Sequence, residues 1–138
     1  MLKQISIYAE NKKGCLQNVT GILCRNGINI LGSVTNDSAE YGIIRMVVSD
    51  PEKSIEVLSS EGYICKTTPV LAVECLDEVG SLDKILKTLF DSNINVNYTY
   101  LSFNRDSGLP IMVIHTDDTA QVENILINRG YNCIWSKI

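Results

Sequence analysis

The sequence predicts an α+β fold: two similar βαββαβ units with antiparallel sheets. Three observations carry this. First, the chain of 138 residues repeats itself: Glu10-Asn11-Lys12-Lys13-Gly14-Cys15-Leu16, running on to Asn26-Gly27-Ile28-Asn29-Ile30, returns 66 positions later as Asp77-Glu78-Val79-Gly80-Ser81-Leu82, running on to Ser92-Asn93-Ile94-Asn95-Val96. Second, apolar alternation changes to a helical period at the same point of each copy. Third, two β-rich stretches around a short polar turn follow in both copies, as hairpins do. A repeat of this length exceeds a solenoid unit and fits a whole small domain, which places the units at residues 1–67 and 68–138. Units of about 67 residues are marginal alone, so they are expected to share buried surface with each other or with a second chain.

Each element follows in order. Ile5, Ile7 and Ala9 alternate with Gln4, Ser6 and Tyr8, and Leu71, Val73 and Cys75 do the same in the second copy; both stretches read as half-buried strands. After Gly14 the stripe Leu16, Val19, Ile22, Leu23 predicts a helix ending at Asn26-Gly27. After Gly80 the set Leu82, Ile85, Leu86, Leu89, Phe90 predicts one ending at Ser92-Asn93. Ile28 to Thr35 and Tyr41 to Ser49 flank the polar turn 36–40; Ile94 to Phe103 and Leu109 to Thr116 flank 104–108. Asp50-Pro51 and the capping-box spacing of Asp118 start second helices, which end at Gly62 and Gly130. Tyr63 to Lys66 and Tyr131 to Ile138 read as closing strands; the linker is almost absent, the first of them ending near Thr67-Thr68-Pro69 and leading straight into Val70. The order is that of ferredoxin-like folds, with helices on one sheet face and the other face and the edges open for pairing.

Composition narrows the function classes. A 45% hydrophobic, 20% charged chain is that of a folded soluble protein, and no apolar run approaches the roughly 18 residues of a membrane span. Net charge of −4 with scattered Lys and Arg disfavours nucleic acid. The N-terminus does not read as a signal peptide, and the five cysteines have no C-x-x-C spacing, so they read as reduced thiols in the cytoplasm. No metal or cofactor is expected, since one histidine and dispersed cysteines give no ligand spacing. His115 lacks a sequence partner for catalysis, and the acid pairs Asp77-Glu78 and Asp117-Asp118 are explained as helix caps; the chain does not read as an enzyme. Cys15, at a helix N-terminus, is the one residue with a redox argument.

The strand-glycine-helix junction is the best candidate site. A glycine there permits a turn with positive φ, and the N–H groups that follow are unpaired. The arrangement is either a plain turn and cap or a small anion site suited to a carboxylate. A single glycine per turn excludes the phosphate loops of nucleotide-binding proteins. Asn29 and Asn95, read as lying one residue into a strand, either satisfy backbone there or bond the polar head of a small molecule. Tyr98, Tyr100 and Phe103 lie on one strand of the second copy, where Tyr98 and Tyr100 share a face as sheet packing or as the wall of a pocket.

Taken in order, the turn Glu10 to Leu16, Asn26-Gly27-Ile28-Asn29-Ile30, Tyr41-Gly42-Ile43-Ile44-Arg45 and Asp50-Pro51-Glu52-Lys53 resemble the ACT domain, a small-molecule-sensing regulatory module. The whole chain looks like a stand-alone tandem ACT protein of bacteria. The resemblance implies that an amino acid binds where two units meet side by side, the glycine turn of one facing the second strand of its neighbour. It implies as ligand-binding residues Asn11, Lys13, Gly14, Cys15, Leu16, Asn29 and Ile30 in the first copy. In the second copy it implies Glu78, Val79, Gly80, Ser81, Leu82, Asn95 and Val96, with Tyr98 as a wall. Lys13 and Val79 stand where the family turn usually has proline, which leaves a more flexible loop.

The expected function is therefore a non-enzymatic, cytoplasmic regulatory protein. It binds an amino acid, forms a homodimer and acts on a partner enzyme that is not in this chain. The alternative is a ligand-free dimeric scaffold that regulates a partner enzyme by contact alone.

Overall fold

In the computed structural model, residues 1–10, 12–36 and 41–134 are described; Asn11, the turn residues 37–40 and the last four positions lie outside them. The elements are β1 (Leu2–Glu10), α1 (Cys15–Arg25), β2 (Ile30–Asn36), β3 (Tyr41–Val48), α2 (Pro51–Ser60), β4 (Ile64–Glu74), α3 (Ser81–Asp91), β5 (Val96–Phe103), β6 (Pro110–Thr116), α4 (Thr119–Asn128) and β7 (Asn132–Ile134). The βαββαβ order occurs twice, the antiparallel ferredoxin-like arrangement the repeat implied. The chain divides into one compact unit of Lys3–Thr68 and a second from Pro69 onward that includes Met1 and Leu2.

In the N-terminal unit the strands run β2-β3-β1-β4. β1 lies antiparallel to β3, pairing Ile5 with Met46 and Ile7 with Ile44, so one face of both strands meets the helices. Ile5, Ile7, Val19, Ile22, Leu23, Met46 and Leu58 form its core. In the C-terminal unit β5 pairs with β6, and β4 pairs with both β6 and β7. Leu71, Val73, Ile85, Leu89, Ile114, Val122 and Leu126 fill that core.

The helix ends explain why two strands start late. Gly27, at φ 70°, takes the position after the α1 cap; its N–H bonds to Cys24 O at 3.1 Å and that of Ile28 to Leu23 O at 3.0 Å. This pair of bonds closes the helix, and it uses the backbone of Ile28, so β2 begins at Ile30. In α3 a non-glycine residue, Asn93 at φ 59°, does the same, Ile94 N–H reaches Leu89 O at 2.9 Å, and β5 begins at Val96. α2 and α4 start on side-chain caps: Asp50 accepts from Lys53 N–H at 3.1 Å and Asp118 from Gln121 N–H at 3.0 Å. Asp118→Ala is expected to cost about 1 kcal/mol, read as a lower urea midpoint with unchanged slope.

β4 is one strand of 11 residues that runs straight through Thr67-Thr68-Pro69. The second face of the central strands is lined by buried residues as well. Gln4 and Ser6 are as buried as their apolar neighbours, and in the other unit Ala72, Ile111 and Val113, which alternate with core residues, are buried too. The polar pair is satisfied, Gln4 Nε2 donating to Ser6 Oγ at 3.1 Å and Ser6 Oγ lying 3.2 Å from Thr68 Oγ1. One expectation is corrected: Phe90, read as part of the apolar stripe of α3, is 79% exposed. It follows Leu89 by about 100° around the helix, which carries it off the buried stripe defined by Ile85 and Leu89.

Candidate functional site

Both strand-to-helix bends are set by glycine backbone. Gly14 has φ 87° and Gly80 φ 89°, the left-handed region, and a Cβ at either would meet nothing within 4 Å. Handedness, not room, therefore calls for glycine here. Neither helix has a side-chain cap. The first N–H after each glycine is nevertheless taken: Cys15 donates to Lys12 O and Ser81 to Glu78 O, both at 3.2 Å. The following N–H groups, of Leu16 and Gln17 and of Leu82 and Asp83, have no acceptor among the described residues. The candidate anion donors thus sit one and two residues farther along than the glycine-adjacent positions.

A cleft opens beside each bend, at matching places in the repeat. In the N-terminal unit it has about 330 Å³ and is lined by Tyr8, Glu10, Lys12, Cys15, Tyr63 and Ile64 among others. In the C-terminal unit it has about 370 Å³, with Glu74, Leu76, Glu78, Ser81, Tyr131 and Asn132 at the corresponding positions. Of the residues singled out from sequence, Cys15, Glu78 and Ser81 line these clefts. Val79 is fully exposed at the bend, and Leu16 and Leu82 are exposed on the first helical turn. Lys13 is exposed as well, and Asn11 lies outside the described residues.

Asn29 and Ile30 line a separate cleft of about 660 Å³ that runs along α1 from Gln17 to Gly27. An 11-residue helix is about 16 Å long, so within one unit no small ligand touches both Gly14 and Asn29. Asn29 precedes β2 instead of lying inside it. Its N–H donates to Ser49 Oγ and its carbonyl accepts from Ser49 N–H, each at 2.9 Å. Asn95 begins a polar relay: Asn95 Nδ2 reaches Asn97 Oδ1 at 3.4 Å, and Asn97 Nδ2 reaches Asp117 Oδ1 at 2.9 Å and His115 Nδ1 at 3.1 Å. Tyr98 stacks on His115 with ring centroids 4.8 Å apart, while Val96 packs on the core.

Sequence reasoning passed over Glu74, Lys84, Tyr131 and Asn132. The repeated Gly-Tyr pair at 62–63 and 130–131 was the signal that could have found this wall of the clefts. Glu74 Oε2 accepts from Asn104 Nδ2 at 2.6 Å and Ser107 Oγ at 3.0 Å, and Oε1 from Asn132 Nδ2 at 3.4 Å. Burial would push this carboxyl up, but the three hydrogen bonds outweigh it and hold it below its ordinary 4.5. The resulting stability is fully present above the unfolded value near 4.5 and is lost as pH falls through the lower folded value. Glu74→Gln is therefore expected to flatten the acid limb of the Tm-against-pH curve from about 4.5 down to the lower folded value, measured by differential scanning fluorimetry.

The thiols divide by environment. Burial, with the nearby Glu123 charge, pushes the Cys133 thiol up to about 11, whereas Cys24 is exposed. Iodoacetamide at about pH 8 should label Cys24 in the native protein and spare Cys133 until the chain unfolds, as peptide mass spectrometry would show. Among the described residues no group of three or more His, Cys, Asp or Glu side chains could hold a metal. No helix among the described residues is long and apolar enough to cross a membrane.

Known proteins share this fold and chain length. Protein BT0572 from Bacteroides thetaiotaomicron is 28% identical, with TM-score 0.88 over 96% of this chain and 91% of that one. The ligand-free regulatory subunit of aspartate kinase from Thermus thermophilus has TM-score 0.63 at 12% identity, over 91% and 90%. The aspartokinase alpha and beta subunits give 0.58 at 17%, over 93% and 96%, and like the Thermus protein show likeness of fold. Residues 1–137 match the family described as the ACT domain pair, and the chain belongs to that family.

Proposed function

We propose that the chain is a non-enzymatic regulatory protein in which the bend at Gly14 or at Gly80 binds the carboxylate of an amino acid. One observation carries the reading: in both units a left-handed glycine leads into a helix whose second and third N–H groups lack acceptors among the described residues, beside a cleft. Unpaired amides at a helix start favour an anion, and a carboxylate is the small anion that an amino acid offers. Membership of the ACT pair family supports the regulatory side of the reading.

Asn29 and Asn95 join such a ligand only if a bend from one unit faces the segment before β2 or β5 of another. This is the expected geometry of side-by-side units, within a cytoplasmic homodimer. Regulation then requires that the ligand bind one arrangement more tightly than another, since only differential affinity shifts an equilibrium. An enzyme partner would read the change. The scaffold alternative draws on the exposed Leu76, Val79 and Leu82, an apolar rim suited to protein contact.

Calorimetry of the full chain against the twenty amino acids tests the proposal. A saturable heat from at least one of them, lost in Gly14→Pro or Gly80→Pro, is the expected result. Silence toward all twenty, or binding indifferent to both changes, overturns it.

A further inference from the structure

Resting on the amino-acid reading above, we infer that the ligand's ammonium group is received by Glu74 and its carboxylate by Lys84 and the α3 start, so that only the C-terminal cleft is built for a zwitterion. The repeat supplies an internal comparison. Both clefts have nearly the same size and are bounded by the same backbone segments, so the cavity itself is a product of the fold. Their chemistry is not the same. Tyr8, Cys15, Asn18 and Ile64 of the N-terminal unit correspond to Glu74, Ser81, Lys84 and Asn132 of the C-terminal unit.

In the C-terminal cleft the two Glu74 oxygens have different tasks. Oε2 is occupied by the short bonds from Asn104 and Ser107, which fix the carboxylate in place. Oε1 has only the long contact from Asn132 at 3.4 Å and keeps acceptor capacity for an ammonium. A role confined to clamping the β5–β6 turn would account for Oε2 and leave Oε1 and Lys84 unexplained. Lys84 lines the same cleft and makes no ion pair among the described residues. An anchored anion and an uncommitted cation along one cleft match the opposite charges of an α-amino acid. About 370 Å³ falls at the small end of ligand sites.

The N-terminal cleft has no carboxylate at the equivalent position, and its Glu10 is already paired with Lys12 at 3.2 Å. Tyr8 stands there with the Lys66 ammonium 5.9 Å from its ring centre, a like charge to any amine. The Lys84 equivalent, Asn18, is committed to the Tyr63 hydroxyl.

Thermal-shift titration of the full chain with each of the twenty amino acids identifies the binders. Each binder is then titrated into Glu74→Gln, Lys84→Met and Tyr8→Phe, and compared with its analogue lacking the amino group. The expected result is a loss of affinity of about tenfold or more in Glu74→Gln, several-fold loss in Lys84→Met, no change in Tyr8→Phe, and an analogue insensitive to Glu74→Gln. Amide shift mapping on the unaltered protein guards against a variant that folds poorly. Perturbations should centre on Ser81, Lys84 and Asn132. Undiminished binding by Glu74→Gln, or shifts centred on Cys15, Tyr63 and Ile64, overturns this assignment while amino-acid binding itself stands. Silence of the unaltered chain toward all twenty removes both.

Discussion

Leu89→Ala is expected to destabilise the C-terminal unit by about 3 kcal/mol, while Phe90→Ala, its neighbour, changes stability by less than about 0.5 kcal/mol. Leu89 is wholly buried against Leu71, Ile85, Ile114 and their neighbours, so truncation loses its transfer free energy and leaves a cavity in a close-packed core. Phe90 is the larger side chain, and from hydrophobic content alone it would be ranked the more costly to lose. Its exposure reverses the order. Urea unfolding of both variants, followed by far-UV circular dichroism, checks this; equal losses would mean that Phe90 is covered in solution, by a second copy or another protein.

Gly80→Val is expected to cost at least about 2 kcal/mol and to abolish amino-acid binding, whereas Gly80→Asn should cost under about 1 kcal/mol and keep it. At φ 89° a β-branched residue is strained by its own backbone, although nothing lies within 4 Å of the added Cβ. Relief requires the bend to open, and that turns the Leu82 and Asp83 N–H groups away from their common direction. Asparagine tolerates this region, as Asn93 at φ 59° already demonstrates in the same unit. Matched urea denaturation and calorimetry on the two variants separate strain from loss of flexibility. If valine were as well tolerated as asparagine, the bend would not be what orders the amides.

Local chemistry was readable from the chain. The aspartate caps of α2 and α4, the glycine bends and the change of period that marks α1 and α3 each depend on residues within a few positions of one another. What escaped depends on partners far along the chain. Glu74 looks like any strand-end acid until Asn104, Ser107 and Asn132, 30, 33 and 58 positions away, converge on it. The burial of Gln4 and Ser6 was hidden for a similar reason, because polar alternation signals solvent unless a partner such as Thr68 is known. The strand starts at Ile30 and Val96 were misjudged by two positions, since β-branched residues at 28 and 94 suit a strand but give their N–H groups to helix closure. The candidate site was half legible: the bends were found, but Asn29 proved to lie a helix length from Gly14.

The empty surroundings of Gly14 and Gly80 carry one more consequence. Because handedness dictates the residue at these corners, a mirror-image alanine introduced by chemical ligation should take up their positive φ without backbone strain. It would also stiffen the denatured chain relative to glycine, leaving a protein harder to unfold with its corner intact.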